Sequence, residues 1–106
     1  LPISYADRTI RDMDMRFITF EESTVQNIVF QNCNLEGSRF PGTRLTGCSF
    51  EGCNLWGADF RECTFEQTSF AGAELTAAVF PAESVPFLEI SAEQLQVIRL
   101  DREEES

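Results

Sequence analysis

Large apolar residues recur along this chain at a spacing of five. Phe20, Val25, Phe30, Leu35, Phe40, Leu45, Phe50, Leu55, Phe60, Phe65, Phe70, Leu75 and Phe80 follow one another without a miss. Neither regular element accounts for that period. A helix repeats every 3.6 residues and a strand every 2.0, so a spacing of five would wind around the first and alternate faces of the second. The backbone must therefore turn once in every repeat. Two residues before most of these positions stands a small residue, as at Ser23, Cys33, Ser38, Cys53 and Ala58. Two residues after several of them comes a glycine, and the 6 glycines of the protein all fall in that one phase. Glycine there supplies the positive φ of a tight corner. Ile10 and Met15 continue the series backwards with weaker flanks.

Segments such as Cys33-Asn34-Leu35-Glu36-Gly37, Cys53-Asn54-Leu55-Trp56-Gly57 and Ala58-Asp59-Phe60 carry a small residue, then Asp or Asn, then Leu or Phe. This resembles the pentapeptide-repeat pattern, over roughly residues 18 to 80. The resemblance implies an all-β solenoid, a right-handed quadrilateral parallel β-helix of about three to four coils. Four pentapeptides would make one coil, with the central Leu or Phe and the small residue two before it pointing inside. Residues twenty apart would then stack about 4.8 Å from one another. That places Arg16 beside Glu36, Arg39 beside Asp59, Asn34 over Asn54 and Cys33 over Cys53. Trp56 falls at an outward position in a column with Arg16, Glu36 and Thr76, and Arg44 stands between Thr24 and Thr64 with no stacked carboxylate.

The period divides the chain into a cap segment over 1–14, the repeat over 15–80, a connection and C-terminal helix over 81–100, and an acidic tail over 101–106. The cap would draw on Leu1, Ile3, Tyr5, Ile10 and Met13. Ser91-Ala92-Glu93-Gln94 reads as a capping box, which predicts a helix from Ala92 to about Leu100 with Ala92, Leu95 and Ile98 on one face. Such a helix either lies across the last coil or joins two copies. Some members of the family pair through their C-terminal ends, so Leu95 and Ile98 are candidates for a homodimer interface.

Composition narrows the function classes. The net charge is −10, from 18 acidic and 8 basic residues, with no His. All the basic residues are Arg. So acidic a surface repels phosphate backbones, which argues against direct nucleic-acid binding. Without His the chain lacks the commonest general base and metal ligand. The carboxylate pairs read as solvated faces, and no motif implies a catalytic, metal or cofactor site. Cys33, Cys48, Cys53 and Cys63 all occupy the small inward position, where a thiol acts as a compact hydrophobe. No apolar run is long enough to cross a membrane, and Leu1-Pro2-Ile3-Ser4 has neither segment of a signal peptide, so the cytoplasm is the expected location.

What remains is recognition by a rigid surface. The expected function is a non-catalytic protein–protein interaction or scaffolding module, with Trp56 and Arg44 as candidate contacts. The resemblance implies two alternatives: an acidic, DNA-mimicking modulator of DNA gyrase of the quinolone-resistance type, and the targeting domain of a larger bacterial effector. The short solenoid, the charge gathered in the tail and the charges paired within columns count against the first.

Overall fold

The structure, a computed structural model, describes residues 4–20 and 22–102, of which 4–6 are described by backbone alone. Leu1, Ile3, the Tyr5 side chain and Glu103 to Ser106 therefore lie outside the described residues. Four strands, β1 (Ser4–Arg11), β2 (Thr24–Gln31), β3 (Arg44–Thr46) and β4 (Thr64–Glu66), form one parallel sheet in that order. Each pairs with the next at an offset of twenty residues, as in Tyr5↔Val25, Val25↔Leu45 and Leu45↔Phe65. Single bridges on the other sides keep the same offset, among them Asn34↔Asn54, Arg39↔Asp59 and Ser49↔Ser69. The chain is thus a parallel β-solenoid with four sides to a coil and one pentapeptide to a side.

The corners explain the period. At one of them the Ser38 amide donates to the Leu35 carbonyl at 3.0 Å, closing a turn in which Gly37 has φ 65°. One coil earlier the same corner holds Phe17 at φ 62°, a conformation rare for a bulky residue. Its ring lies on Gly37, where an added Cβ would stand 2.6 Å from Phe17 Cδ1.

Inside, the Leu and Phe positions form stacked columns. Phe20, Phe40, Phe60 and Phe80 follow at centroid separations of 4.8, 4.7 and 4.9 Å, and Phe30, Phe50 and Phe70 at 4.9 and 5.2 Å. Rings in one column are nearly parallel because the coil repeats its backbone. The two columns meet edge to face, as Phe50 meets Phe60 at 75°. Val25, Leu35, Leu45, Leu55, Phe65 and Leu75 complete the core.

The small position has a second task. The Cys53 thiol donates to the Phe30 carbonyl at 3.2 Å, and the Thr43 hydroxyl donates to the Phe20 carbonyl at 3.0 Å. Cys48 and Cys63 do likewise to Val25 and Phe40 at 3.2 and 3.0 Å. In each case the acceptor lies twenty-three residues back, on the turn of the preceding coil. Ser38 is the exception: its buried hydroxyl has no partner among the described residues. Ala58 and Ala78 fill the same column, fully buried. Ser38→Ala is therefore expected to stabilise the fold by about 1 kcal/mol, since it removes a desolvated hydroxyl and loses no bond. Thermal unfolding followed by circular dichroism checks the sign.

Both ends depart from the sequence reading. Residues 1–14 were expected to cap the solenoid, yet Ser4–Arg11 runs as a strand in register with β2. The phase of Tyr5 and Ile10 carries the coil back to this point despite irregular flanks. At the other end the last coil keeps its count of twenty while changing its sides. A 3-10 helix (Ala82–Phe87) replaces one side, and β5 (Thr68–Ser69) pairs with β7 (Leu88–Glu89). The helix α1 (Ala92–Val97) replaces another, and β6 (Val79–Pro81) pairs with β8 (Arg99–Asp101). The helix thus ends at Val97 and not at Leu100. The physical reason is the free edge of β6: Arg99 donates its amide to the Ala78 carbonyl at 2.8 Å, which draws the chain back into the ladder.

Gln94 holds this end. Its amide and side-chain oxygen complete the capping box with Ser91 at 3.0 and 2.8 Å. Its side-chain NH₂ donates to the Phe70 and Ala73 carbonyls at 2.8 and 2.9 Å. In the coils below, the equivalent carbonyls of Phe30 and Cys53 receive the Cys53 thiol and the Glu74 amide. One side-chain amide thus replaces two bonds that another coil would make.

Candidate functional site

Trp56 stands on the corner that follows the Asn54 side, and its side chain is 49% exposed. The backbone beneath it is held from three directions. The Trp56 amide donates to Asn54 Oδ1 at 3.1 Å, the Trp56 carbonyl accepts from the Gly37 amide at 2.9 Å, and Asn54 Nδ2 donates to Asn34 Oδ1 at 3.3 Å. Asn34 Oδ1 in turn accepts from the Glu36 amide at 3.2 Å. The Asn at the second position of the repeat thus pins the corner of its own coil and bonds the coil below. Carbonyls of Glu36, Trp56 and Thr76 accept from successive corners at 2.9, 2.9 and 3.0 Å, so Arg16, Glu36, Trp56 and Thr76 do form one column. Beside the indole, the space around Gly57 is open.

The remaining candidates separate. Arg44 is exposed between Thr24 and Thr64, with no ion pair among the described residues. Leu95 is 43% exposed on α1. Ile98 follows the helix and packs against the core, so it does not share an outward face with Leu95. That departs from the expected helical face, for the same reason that α1 stops early.

The stacked charges also pair differently from the expectation. Asp14 bonds Arg16 and Asp59 bonds Arg61, each at 2.8 Å within its own repeat. Each aspartate also accepts the amide of its arginine, at 3.3 and 3.0 Å. A partner two residues away is already held near by the corner, whereas a stacked arginine must be ordered over the whole length of its side chain. At Asp59 burial pushes the carboxyl up, but the bonds and charge of Arg61, with a smaller contribution from Arg39, hold it below its ordinary value. The hydrogen bonds from Arg16 lower Asp14 in the same way.

Chemistry at the thiols is suppressed. All four cysteines are free and buried. Burial pushes the Cys53 thiol up to about 11 and raises those of Cys48 and Cys63 as well. These three thiols hold little thiolate at neutral pH and are poor nucleophiles. Among the described residues no group of three or more His, Cys, Asp or Glu side chains converges where a metal could sit, and no helix is long and apolar enough to cross a membrane.

Met13, expected to help cover the N-terminal end, is 52% exposed, and Phe17 and Ile18, at 68 and 37% exposure, were not among the expected surface residues. Their signal is a large residue where the repeat elsewhere places a small one or a glycine.

Comparison with known proteins agrees with this geometry. The model of the family described as pentapeptide repeats matches residues 14–52 and 43–80. No curated protein matches the chain in sequence. Among solved structures, a trypsin-treated form of QnrB1, a plasmid-mediated fluoroquinolone resistance protein, is 24% identical with a TM-score of 0.56, over 74% of this chain and 38% of that one. Full-length QnrB1 matches at 24% identity and a TM-score of 0.54, over 74% and 37%. A pentapeptide-repeat protein, alr5209 from Nostoc Pcc 7120, matches at 20% identity and a TM-score of 0.49, over 88% and 80%. The chain thus spans well under half the length of QnrB1, and the likeness to it is one of fold. With the family's repeat matched across most of its length and the four-sided coil that the repeat builds, this chain belongs to the pentapeptide-repeat family and folds as its right-handed β-helix.

Proposed function

We propose that this protein is a non-catalytic protein–protein interaction or scaffolding module, and that it meets its partner with the corner column of Arg16, Glu36, Trp56 and Thr76. The observation that carries this reading is the half-exposed Trp56 indole on a backbone tied down by Asn54. A large aromatic on a rigid support buries much apolar area at little entropic cost, which is how interface anchors act. The buried, unreactive thiols favour a role without chemistry, in a reducing compartment such as the cytoplasm. Trp56→Ala is expected to weaken partner capture by about tenfold or more while leaving thermal unfolding unchanged. Equal capture by both proteins, measured by quantitative pull-down from cells of the source organism, would remove this corner from consideration.

A second reading rests on the net charge of −10: an acidic solenoid that occupies the DNA site of gyrase. It predicts inhibition of gyrase supercoiling at submicromolar protein. Full supercoiling activity at micromolar protein would sink it.

A further inference from the structure

The 3-10 helix Ala82–Phe87 stands where the next strand of the β1–β4 sheet would run, one coil beyond β4. The sequence explains why it is not a strand. At the offset of twenty, Glu83 would take the inward place that Ser23, Thr43 and Cys63 fill in the earlier coils, and a carboxylate is costly to bury there. Pro86 would stand opposite Glu66 with no amide for the ladder. The chain therefore arches away from β4 and rejoins the solenoid on the following side, at β7.

The arch leaves β4 without a neighbour on the edge that faces the next coil. In the ladder before it, the Thr43 carbonyl accepts from the Thr64 amide at 3.1 Å and the Gly47 amide donates to the Glu66 carbonyl at 2.8 Å. Leu45, between them, is paired in register with Phe65. One coil on, the corresponding groups are the Cys63 carbonyl, the Phe65 amide and the Gln67 amide. None of the three has a hydrogen-bond partner among the described residues. Elsewhere on the last coil the Gln94 side chain supplies the missing donor. Over β4 the nearby Ser84 hydroxyl is spent on the Pro81 carbonyl, at 2.6 Å.

Between β4 and the arch lies an open hollow of about 310 Å³. Phe65, Pro81 and Phe87 give it apolar walls, and Phe87 is 64% exposed. Its charged lining residues are Glu66 and Glu83, both exposed, and no basic side chain lines it among the described residues. The volume falls at the lower end of the range for binding sites, about 300–1,000 Å³, which suits a short run of extended chain.

The chemistry of the occupant follows from these groups. An acceptor and two donors spaced two residues apart along one strand are matched by another extended main chain, whose own amides and carbonyls repeat at that period. The Glu66 and Glu83 carboxylates, on a protein of net charge −10, favour basic side chains beside that main chain. The exposed Phe87 ring offers an apolar side chain a surface to cover. We infer that the open edge of β4, under the arch of residues 82–87, is a docking site for an extended segment of a partner protein in which apolar and basic residues alternate, and which adds to the sheet as a strand. The site stands on the side of the coil opposite Trp56, so it does not rest on the role proposed for that corner.

The test uses the full chain and a fluorescent peptide of alternating Val and Arg, followed by anisotropy and by amide hydrogen exchange. Bound peptide is expected to add protection at the Phe65 and Gln67 amides. Glu83→Arg, at the hollow, is expected to weaken binding by about tenfold. Glu51→Arg changes the net charge equally from another side of the coil and should leave binding unchanged. The same peptide N-methylated at its amides keeps its charge, loses its donors and is expected to bind about tenfold more weakly. Equal effects of the two arginine variants, or equal binding by the methylated peptide, would mean attraction by charge alone and would overturn the assignment. So would the absence of added protection at Phe65 and Gln67, which would leave water as the partner of this edge.

Discussion

Phe60→Ala is expected to lower the free energy of unfolding by about 3–5 kcal/mol, the range for truncating a fully buried Phe. Its ring is sandwiched between Phe40 and Phe80 at 4.7 and 4.9 Å. It also meets Phe50, Phe65 and Phe70 at 6.0, 5.8 and 5.7 Å, so the cavity would be walled by rings from three coils. Those walls cannot collapse inward, because each is fixed by the ladder of its own coil. Phe20→Ala provides the contrast. Phe20 stacks on Phe40 at 4.8 Å but is 7% exposed where Phe60 is fully buried, so its loss should cost clearly less. Urea denaturation of the two variants, followed by the fluorescence of Trp56, measures the difference. Equal losses would mean that the columns do not carry the core.

Gln94→Glu is expected to destabilise the C-terminal coil more than Gln94→Ala does, although it is the closer match in shape. The alanine variant loses the bonds to Phe70 and Ala73 and half of the capping box, a loss of roughly 1–3 kcal/mol. The glutamate keeps an acceptor for the Ser91 amide but turns a carboxylate toward two carbonyls that had a donor. Hydrogen exchange locates the effect: amides of β6 and β8 should lose protection while those of β2 and β3 keep theirs. Protection lost evenly along the chain would show that the end is not a separate cooperative unit.

These two residues mark the limits of what the sequence discloses. Phe60 is legible because a period of five has one physical solution, a chain that turns in every repeat and stacks at twenty. From that the core, the corners, the Asn34–Asn54 contact and the free buried thiols all follow. Gln94 was legible only as a helix cap. Its side-chain amide also serves two carbonyls of another coil, and that depends on how the helix lies over the end, which no local pattern encodes. The same holds for Asp59. Its stacked neighbour Arg39 is evident from the spacing, but the choice of Arg61 depends on the turn that brings the closer arginine round. Trp56 and Arg44 could be placed outside by phase alone. Phe17 and Ile18 were obscured because the repeat has weaker flanks in their coil, where they stand at the positions that the next coil gives to Gly37 and Ser38.

The count of five residues to a side and twenty to a coil sets a grammar for length change in this molecule. A gain or loss of one to four residues within the repeat would turn inward side chains outward from that point on, and the downstream columns would not form. An insertion of five keeps every side chain in phase but advances all that follows by a quarter turn, so Gln94 and α1 would close over a different pair of sides. Only an insertion of twenty leaves both ends facing as they do now and lengthens the body by one rise of about 4.8 Å. Surfaces at opposite ends of such a protein are therefore related by a quantised angle, and the distance between them cannot be tuned without either a full coil or a rotation.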